Sequence, residues 1–119
     1  MTRILAVDDS ESMRKMVTFT LERAGFETEE AADGVEALDK AQKENFDLVI
    51  TDINMPEMDG ITLIRRLRSL PDYRFRPILT LTTEGSPEKK REGREAGATG
   101  WIVKPFDPDV LIQTIRKVL

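Results

Sequence analysis

The sequence has no cysteine and no histidine, one tryptophan, one tyrosine and no long apolar run. Without cysteine there is no disulfide, no thiolate nucleophile and no cysteine-based zinc or iron–sulfur site. Without histidine there is no Ser-His or Cys-His catalysis, no imidazole metal ligand and no imidazole to carry a phosphoryl group. Chemistry in this chain must use carboxylates, lysine, hydroxyls or a hard metal ion. The longest apolar runs, such as Ile4 to Val7, fall far short of the roughly 18 residues of a membrane span, and the N-terminus has no apolar signal segment. A soluble, cytoplasmic protein without a membrane partner is expected. The net charge is -4, from 18 Lys and Arg against 22 Asp and Glu, with the signs mixed along the chain. No broad basic face is available for a phosphate backbone, which argues against a nucleic-acid partner.

The 119 residues, 39% of them apolar, suit one compact domain spanning residues 1–119 with a core that needs no staples. Short apolar runs alternate with longer segments of helical period. Arg3 to Val7 (RILAV) reads as a buried strand. From Glu11 to Ala24, Met13, Met16, Val17, Thr20, Leu21 and Ala24 fall on one helix face, so Met13 and Met16 are assigned to the core, and Gly25 stops the helix. Phe26 to Ala32 is weakly apolar and Glu-rich, as an edge strand would be. A helix with Val35, Leu38 and Ala41 follows Asp33-Gly34. Asp47 to Thr51 (DLVIT) and Ile78 to Thr82 (ILTLT) are further strands, separated by a helix with Leu63, Ile64 and Leu67 and by a polar connector, Pro71 to Pro77. Ser86-Pro87-Glu88 starts another helix, Trp101-Ile102-Val103 is strand-like, and Asp107-Pro108 caps a last helix with Leu111, Ile115 and Val118.

Strands that are apolar on both faces and separated by helices predict an α/β fold: a single-domain, doubly wound, five-stranded parallel sheet with five helices. Ligands bind such sheets at the carboxyl ends of the strands. The first strand ends in Asp8-Asp9, the third in Asp52, the fourth in Thr82-Thr83 and the fifth in Lys104. Three carboxylates brought within about 4 Å would repel by roughly 4 kcal/mol per pair at an effective dielectric of 20. Lys104 offsets one charge. A divalent ion with oxygen ligands is the natural remainder, which favours magnesium over softer metals. Each residue alone has an ordinary structural explanation, as a cap, a strand-end hydroxyl or an exposed lysine; the coincidence at four strand ends carries the weight.

With these motifs in hand, the chain resembles the receiver domains of two-component response regulators, especially the free-standing chemotaxis type. The matching pieces are VDDS after the first strand, DINMPEMDG after the third, LTLTTEG after the fourth and GWIVKPF after the fifth. The resemblance implies the flavodoxin-like strand order 2-1-3-4-5. It also implies that Asp52 accepts a phosphoryl group from a phosphohistidine of a histidine kinase. Asp8 and Asp9 would bind Mg2+ with Asp52 and the backbone carbonyl of Asn54. Thr82 would turn its hydroxyl toward the phosphoryl oxygens, Lys104 would pair with them, and Trp101 would occupy the aromatic switch position. A cis Lys104-Pro105 bond is implied as well. The chain would then be a switch rather than an enzyme, beyond self-catalysed phosphorylation and dephosphorylation. Its partners would be the kinase and a downstream output protein, with the flagellar motor switch and a phosphatase as candidates, and the domain itself a monomer. With no histidine in the chain, the phosphoryl group must come from another molecule; with no effector segment after Leu119, output is expected to pass through another protein. The alternatives are a phosphorelay intermediate, a binding module of the same fold that works without phosphorylation, and an enzyme or flavin carrier on a flavodoxin-like sheet; Asp8-Asp9 would repel the mononucleotide phosphate of the last.

Three features depart from the family pattern. Trp101 is bulkier than the usual Tyr or Phe, so that its inward rotation is expected to be hindered. Thr83 replaces a smaller residue and narrows access to Asp52. Ser86 to Glu95 (SPEKKREGRE) has no apolar residue except Pro87. A helix there would rest on caps and on pairs such as Arg91 with Glu95, each worth about 0.2 to 0.5 kcal/mol, while Gly93 costs about 1 kcal/mol. Local instability is expected of this segment.

Overall fold

The computed structural model describes all 119 residues. In chain order the elements are β1 (Arg3–Val7), α1 (Glu11–Arg23), β2 (Glu27–Ala31), α2 (Gly34–Lys43), β3 (Leu48–Thr51), α3 (Gly60–Arg68), a 3-10 turn (Pro71–Tyr73), β4 (Ile78–Thr82), α4 (Pro87–Ala96), β5 (Gly100–Val103) and α5 (Pro108–Val118). The five strands form one parallel sheet in the order β2-β1-β3-β4-β5. The expected α/β architecture, strand order and helix count are all present.

Side-chain alternation along the strands divides the core in two. Leu5 and Val7 of β1 and Val49 of β3 join Ala37 and Ala41 of α2, Leu63, Ile64 and Leu67 of α3 and Ala96 of α4 on one face. Ile4 and Ala6, Leu48 and Ile50, and Leu79 and Leu81 of β4 meet Val17 and Leu21 of α1 and Leu111 and Ile115 of α5 on the other. Every strand position from Ile4 to Val7, Leu48 to Thr51 and Ile78 to Thr82 is buried, as two-sided coverage requires. The edge strand β2 carries mostly half-buried residues.

All five helices begin at a residue whose side chain accepts a backbone N–H of the first turn: Ser10, Asp33, Asp59, Ser86 and Asp107. Such a cap is worth about 1 kcal/mol. The caps also fix where each chain segment leaves the sheet, and so the loops at the carboxyl ends of the strands. One core expectation needs correction. Met16 is 56% exposed, because it lines an open groove between α1 and α5 with Phe106 and Ile112 instead of lying beneath α5; Met13 does pack, half-buried, against the α1–α5 core.

Candidate functional site

The parallel sheet brings the ends of β1, β3, β4 and β5 to one rim. Carboxylate oxygens of Asp8, Asp9 and Asp52 all lie within 4.8 Å of one another, with Asp8 and Asp52 buried and Asp9 exposed. The Lys104 ammonium donates to Asp8 Oδ2 at 2.7 Å and to Asp52 Oδ2 at 3.0 Å. The remaining oxygens are held from the backbone: Ser10 N–H donates to Asp8 Oδ1 at 2.9 Å, and Ile53 N–H to Asp52 Oδ1 at 2.6 Å, with Asn54 N–H more distant at 3.4 Å. Burial by itself would lower the Lys104 pKa, and it is the largest single influence. The hydrogen bonds and charges of Asp8 and Asp52 override it, so the pKa is raised and the lysine is firmly cationic.

One cation against three carboxylates leaves two negative charges in a confined space. The donor set is oxygen only, which fits a hard divalent ion and excludes the thiolate and imidazole chemistry of softer metals. The loop after β3 closes around Asp52. Gly60 N–H donates to the Ile53 carbonyl at 2.8 Å, and a side chain at Gly60 would collide with the carbonyl oxygen of Asp52. Glycine is required there because two backbone segments meet, a role that spacing alone does not reveal.

Thr82 is fully buried at the end of β4, and its Oγ1 accepts Glu84 N–H at 3.3 Å. Trp101 stands apart from the carboxylates. Its alternation on β5 places it with the α3–α4 core rather than beside Lys104, and its indole Nε1–H donates to the Glu84 carbonyl at 2.8 Å. Glu84 therefore touches the hydroxyl at the site through its N–H and the tryptophan through its carbonyl. The Lys104-Pro105 bond is cis, as the resemblance implied. Asn54 and Thr83 are exposed beside the cluster.

Residues 4–116 match the response regulator receiver domain family. The chain belongs to that family. This receiver domain is 41% identical to chemotaxis protein CheY-3 of Vibrio cholerae, with 98% of this chain and 90% of that protein covered. Its backbone superposes on the solved structure of Vibrio cholerae CheY4 with a TM-score of 0.96 at 57% identity, covering 100% and 99% of the two chains. A receiver domain of the sensor histidine kinase PA1611 of Pseudomonas aeruginosa, solved with a magnesium ion coordinated in its active-site cleft, aligns at a TM-score of 0.92 and 25% identity over 98% and 96% of the chains. Receiver domains are signalling modules rather than enzymes in the ordinary sense, and no helix of this one is long and apolar enough to cross a membrane.

Three aspects of the site lie beyond what the motifs announced: the close approach at Gly60, the anchoring of Asp8 through its backbone carbonyl by Arg14 at 2.7 Å, and the seating of Trp101 on Gly93. Gly60 lies inside the quoted DINMPEMDG motif, so a signal was present. Nothing in the local sequence marks the other two.

Proposed function

We propose that this receiver domain, spanning residues 1–119, accepts a phosphoryl group on Asp52 from the phosphohistidine of a histidine kinase and thereby changes its affinity for an output protein. The observation that carries the reading is the Asp52 carboxylate, pinned between the Lys104 ammonium and two backbone N–H groups beside Asp8 and Asp9. In the transfer an Asp52 carboxylate oxygen forms a bond to phosphorus as the phosphorus–nitrogen bond of the donor breaks, and the imidazole leaves with the electron pair. Phosphoryl transfer asks chiefly for positioning and for neutral surroundings of the equatorial oxygens. Lys104 supplies one fixed positive charge, and Thr82 a hydroxyl at the adjacent strand end. Asp8, Asp9, Asp52 and the Asn54 carbonyl would hold Mg2+, which supplies the further charge neutralisation. The magnesium reported for the PA1611 receiver supports that choice of ion.

The similarity to chemotaxis proteins supports a cytoplasmic role in chemotaxis, with a flagellar motor component as the output and a phosphatase to reset the switch. A phosphorelay partner is the competing destination. The test of the acceptor is a mass measurement after incubation with acetyl phosphate and magnesium. The wild type gains one phosphoryl group, and Asp52→Ala gains none while remaining folded. Labelling of the variant at the wild-type rate would overturn the assignment; absence of labelling in the wild type would favour a binding module that works without phosphorylation.

A further inference from the structure

Asp8 is held through both its side chain and its backbone. Lys104 and the Ser10 N–H take its carboxylate, while Arg14 Nη1 donates to its carbonyl oxygen at 2.7 Å. The same guanidinium donates through Nε to Glu30 Oε1 at 3.0 Å, and Lys15 Nζ donates to Glu30 Oε2 at 2.8 Å. The Arg14 side chain is only 14% exposed. One planar, permanently charged group thus bridges the edge strand β2 and the turn that carries the two acidic residues, a geometry suited to arginine and not to a point charge. The carbonyl it grips belongs to the peptide plane from which Asp9 departs. The Asp9 carboxylate is exposed and depends on that plane for its aim.

We propose that Arg14, held by Glu30, is a positioning residue for the divalent cation: it fixes the Asp8–Asp9 peptide so that both carboxylates face the ion. The inference rests on the reading of Asp8, Asp9 and Asp52 as the magnesium site. Positioning and plain electrostatics predict opposite signs. Arg14 is a positive charge near a cation site, so by Coulomb repulsion alone its removal would tighten magnesium binding. If its role is to aim ligands, removal weakens binding, as loss of groups that orient metal ligands does by about 10- to 100-fold.

The test is calorimetric titration of MgCl2 into the wild type, Arg14→Met, Arg14→Lys and the double variant Arg14→Met/Glu30→Gln, with melting of each in chelator. The double variant removes both charges of the pair and leaves no orphaned carboxylate, so it keeps the test alive should Arg14→Met alone fail to fold. The expected result is magnesium affinity lower by about 10-fold in Arg14→Met and in the double variant, with the double variant melting cooperatively without metal. Arg14→Lys recovers part of the affinity, because its ammonium reaches the Asp8 carbonyl or Glu30 but does not span both. Equal or tighter binding in the double variant overturns the proposal. A wild type that binds no magnesium overturns instead the reading of the site on which it rests, a failure visible before any substitution is made.

Discussion

The indole of Trp101 lies directly against the backbone of Gly93: a Cβ at that glycine would fall 2.9 Å from Cε3 of the ring and closer still to Cζ3. Gly93 and Ala96 are the buried residues of α4. The helix therefore docks through a smooth patch that receives a large ring, not through apolar side chains of its own.

This seat predicts the outcome of Gly93→Ala. Alanine gains about 1 kcal/mol of helix propensity, but overpacking against the ring costs about 1–3 kcal/mol. The ring has little freedom to yield, since its Nε1–H is bonded to the Glu84 carbonyl at 2.8 Å. Net destabilisation is expected, with a lower melting temperature and a red-shifted tryptophan emission as the indole moves toward water. A higher melting temperature with unchanged emission would show that the seat does not constrain the ring.

Gly93 also marks what the sequence could and could not disclose. The central strands β1, β3 and β4 and the acidic rim at their ends are legible because two-sided burial writes continuous apolar runs, and because a parallel topology then forces the strand ends together. Asp8, Asp9, Asp52 and Thr82 can be located for that reason, and Lys104 from the short strand-like run before it, although β5 is only half-buried. Read within its own helix, Gly93 is only a liability; its function appears when Trp101, eight residues on and in another element, is placed over it. Arg14 and Glu30 were hidden in the same way, since a charged pair on α1 and β2 looks like solvated surface until the two elements pack. Met16 shows the opposite limit, an apolar residue on the core-facing stripe that stays exposed. Helical period shows which residues share a face, not how far the covering neighbour extends.

If the acidic rim holds magnesium as proposed, its charge balance sets the response of stability to the ion. A ligand that binds only the folded state stabilises it by about 2.7 kcal/mol at one hundred times its dissociation constant. The wild type should therefore melt higher in excess magnesium than in chelator. Asp9→Ala should lose most of that difference. Because Asp9 is exposed, its removal leaves no buried group unpaired and relieves repulsion, so the variant in chelator should be at least as stable as the wild type. Identical melting of the wild type with and without magnesium would sink this account.

Glu30 sets a dependence on acid. Burial, the largest influence, would raise its pKa, but the hydrogen bonds from Lys15 and Arg14 and their charges more than offset this, and the pKa is lowered from 4.5. A carboxylate with a depressed folded-state pKa contributes stability above its unfolded pKa and loses it as pH falls through the folded value. The stability gap between wild type and Glu30→Gln, measured by urea unfolding, should thus be full at neutral pH and shrink once pH drops below about 4.5. A gap that persists unchanged through that acid range would mean that the carboxylate's charge is not what the network uses.

The last prediction follows the contacts through Glu84. Thr82 Oγ1 accepts the Glu84 N–H at 3.3 Å, and the Glu84 carbonyl accepts the indole N–H of Trp101 at 2.8 Å. If Thr82 turns its hydroxyl toward a phosphoryl group on Asp52, Glu84 loses that long hydrogen bond, and the segment bearing the tryptophan's acceptor is free to shift. Magnesium alone gives Thr82 no new acceptor. Fluorescence of Trp101 should consequently respond more to beryllofluoride with magnesium than to magnesium by itself. Thr82→Ala should retain metal binding and phosphorylation but weaken both that response and the gain in affinity for the output partner, which for couplings of about 1–3 kcal/mol amounts to roughly 5- to 150-fold. The substitution also removes the Glu84 contact in the resting state, so its baseline emission should already differ from that of the wild type. Fully phosphorylated Thr82→Ala with unchanged fluorescence response and partner affinity would show that the signal reaches Trp101 by a route that bypasses this hydroxyl.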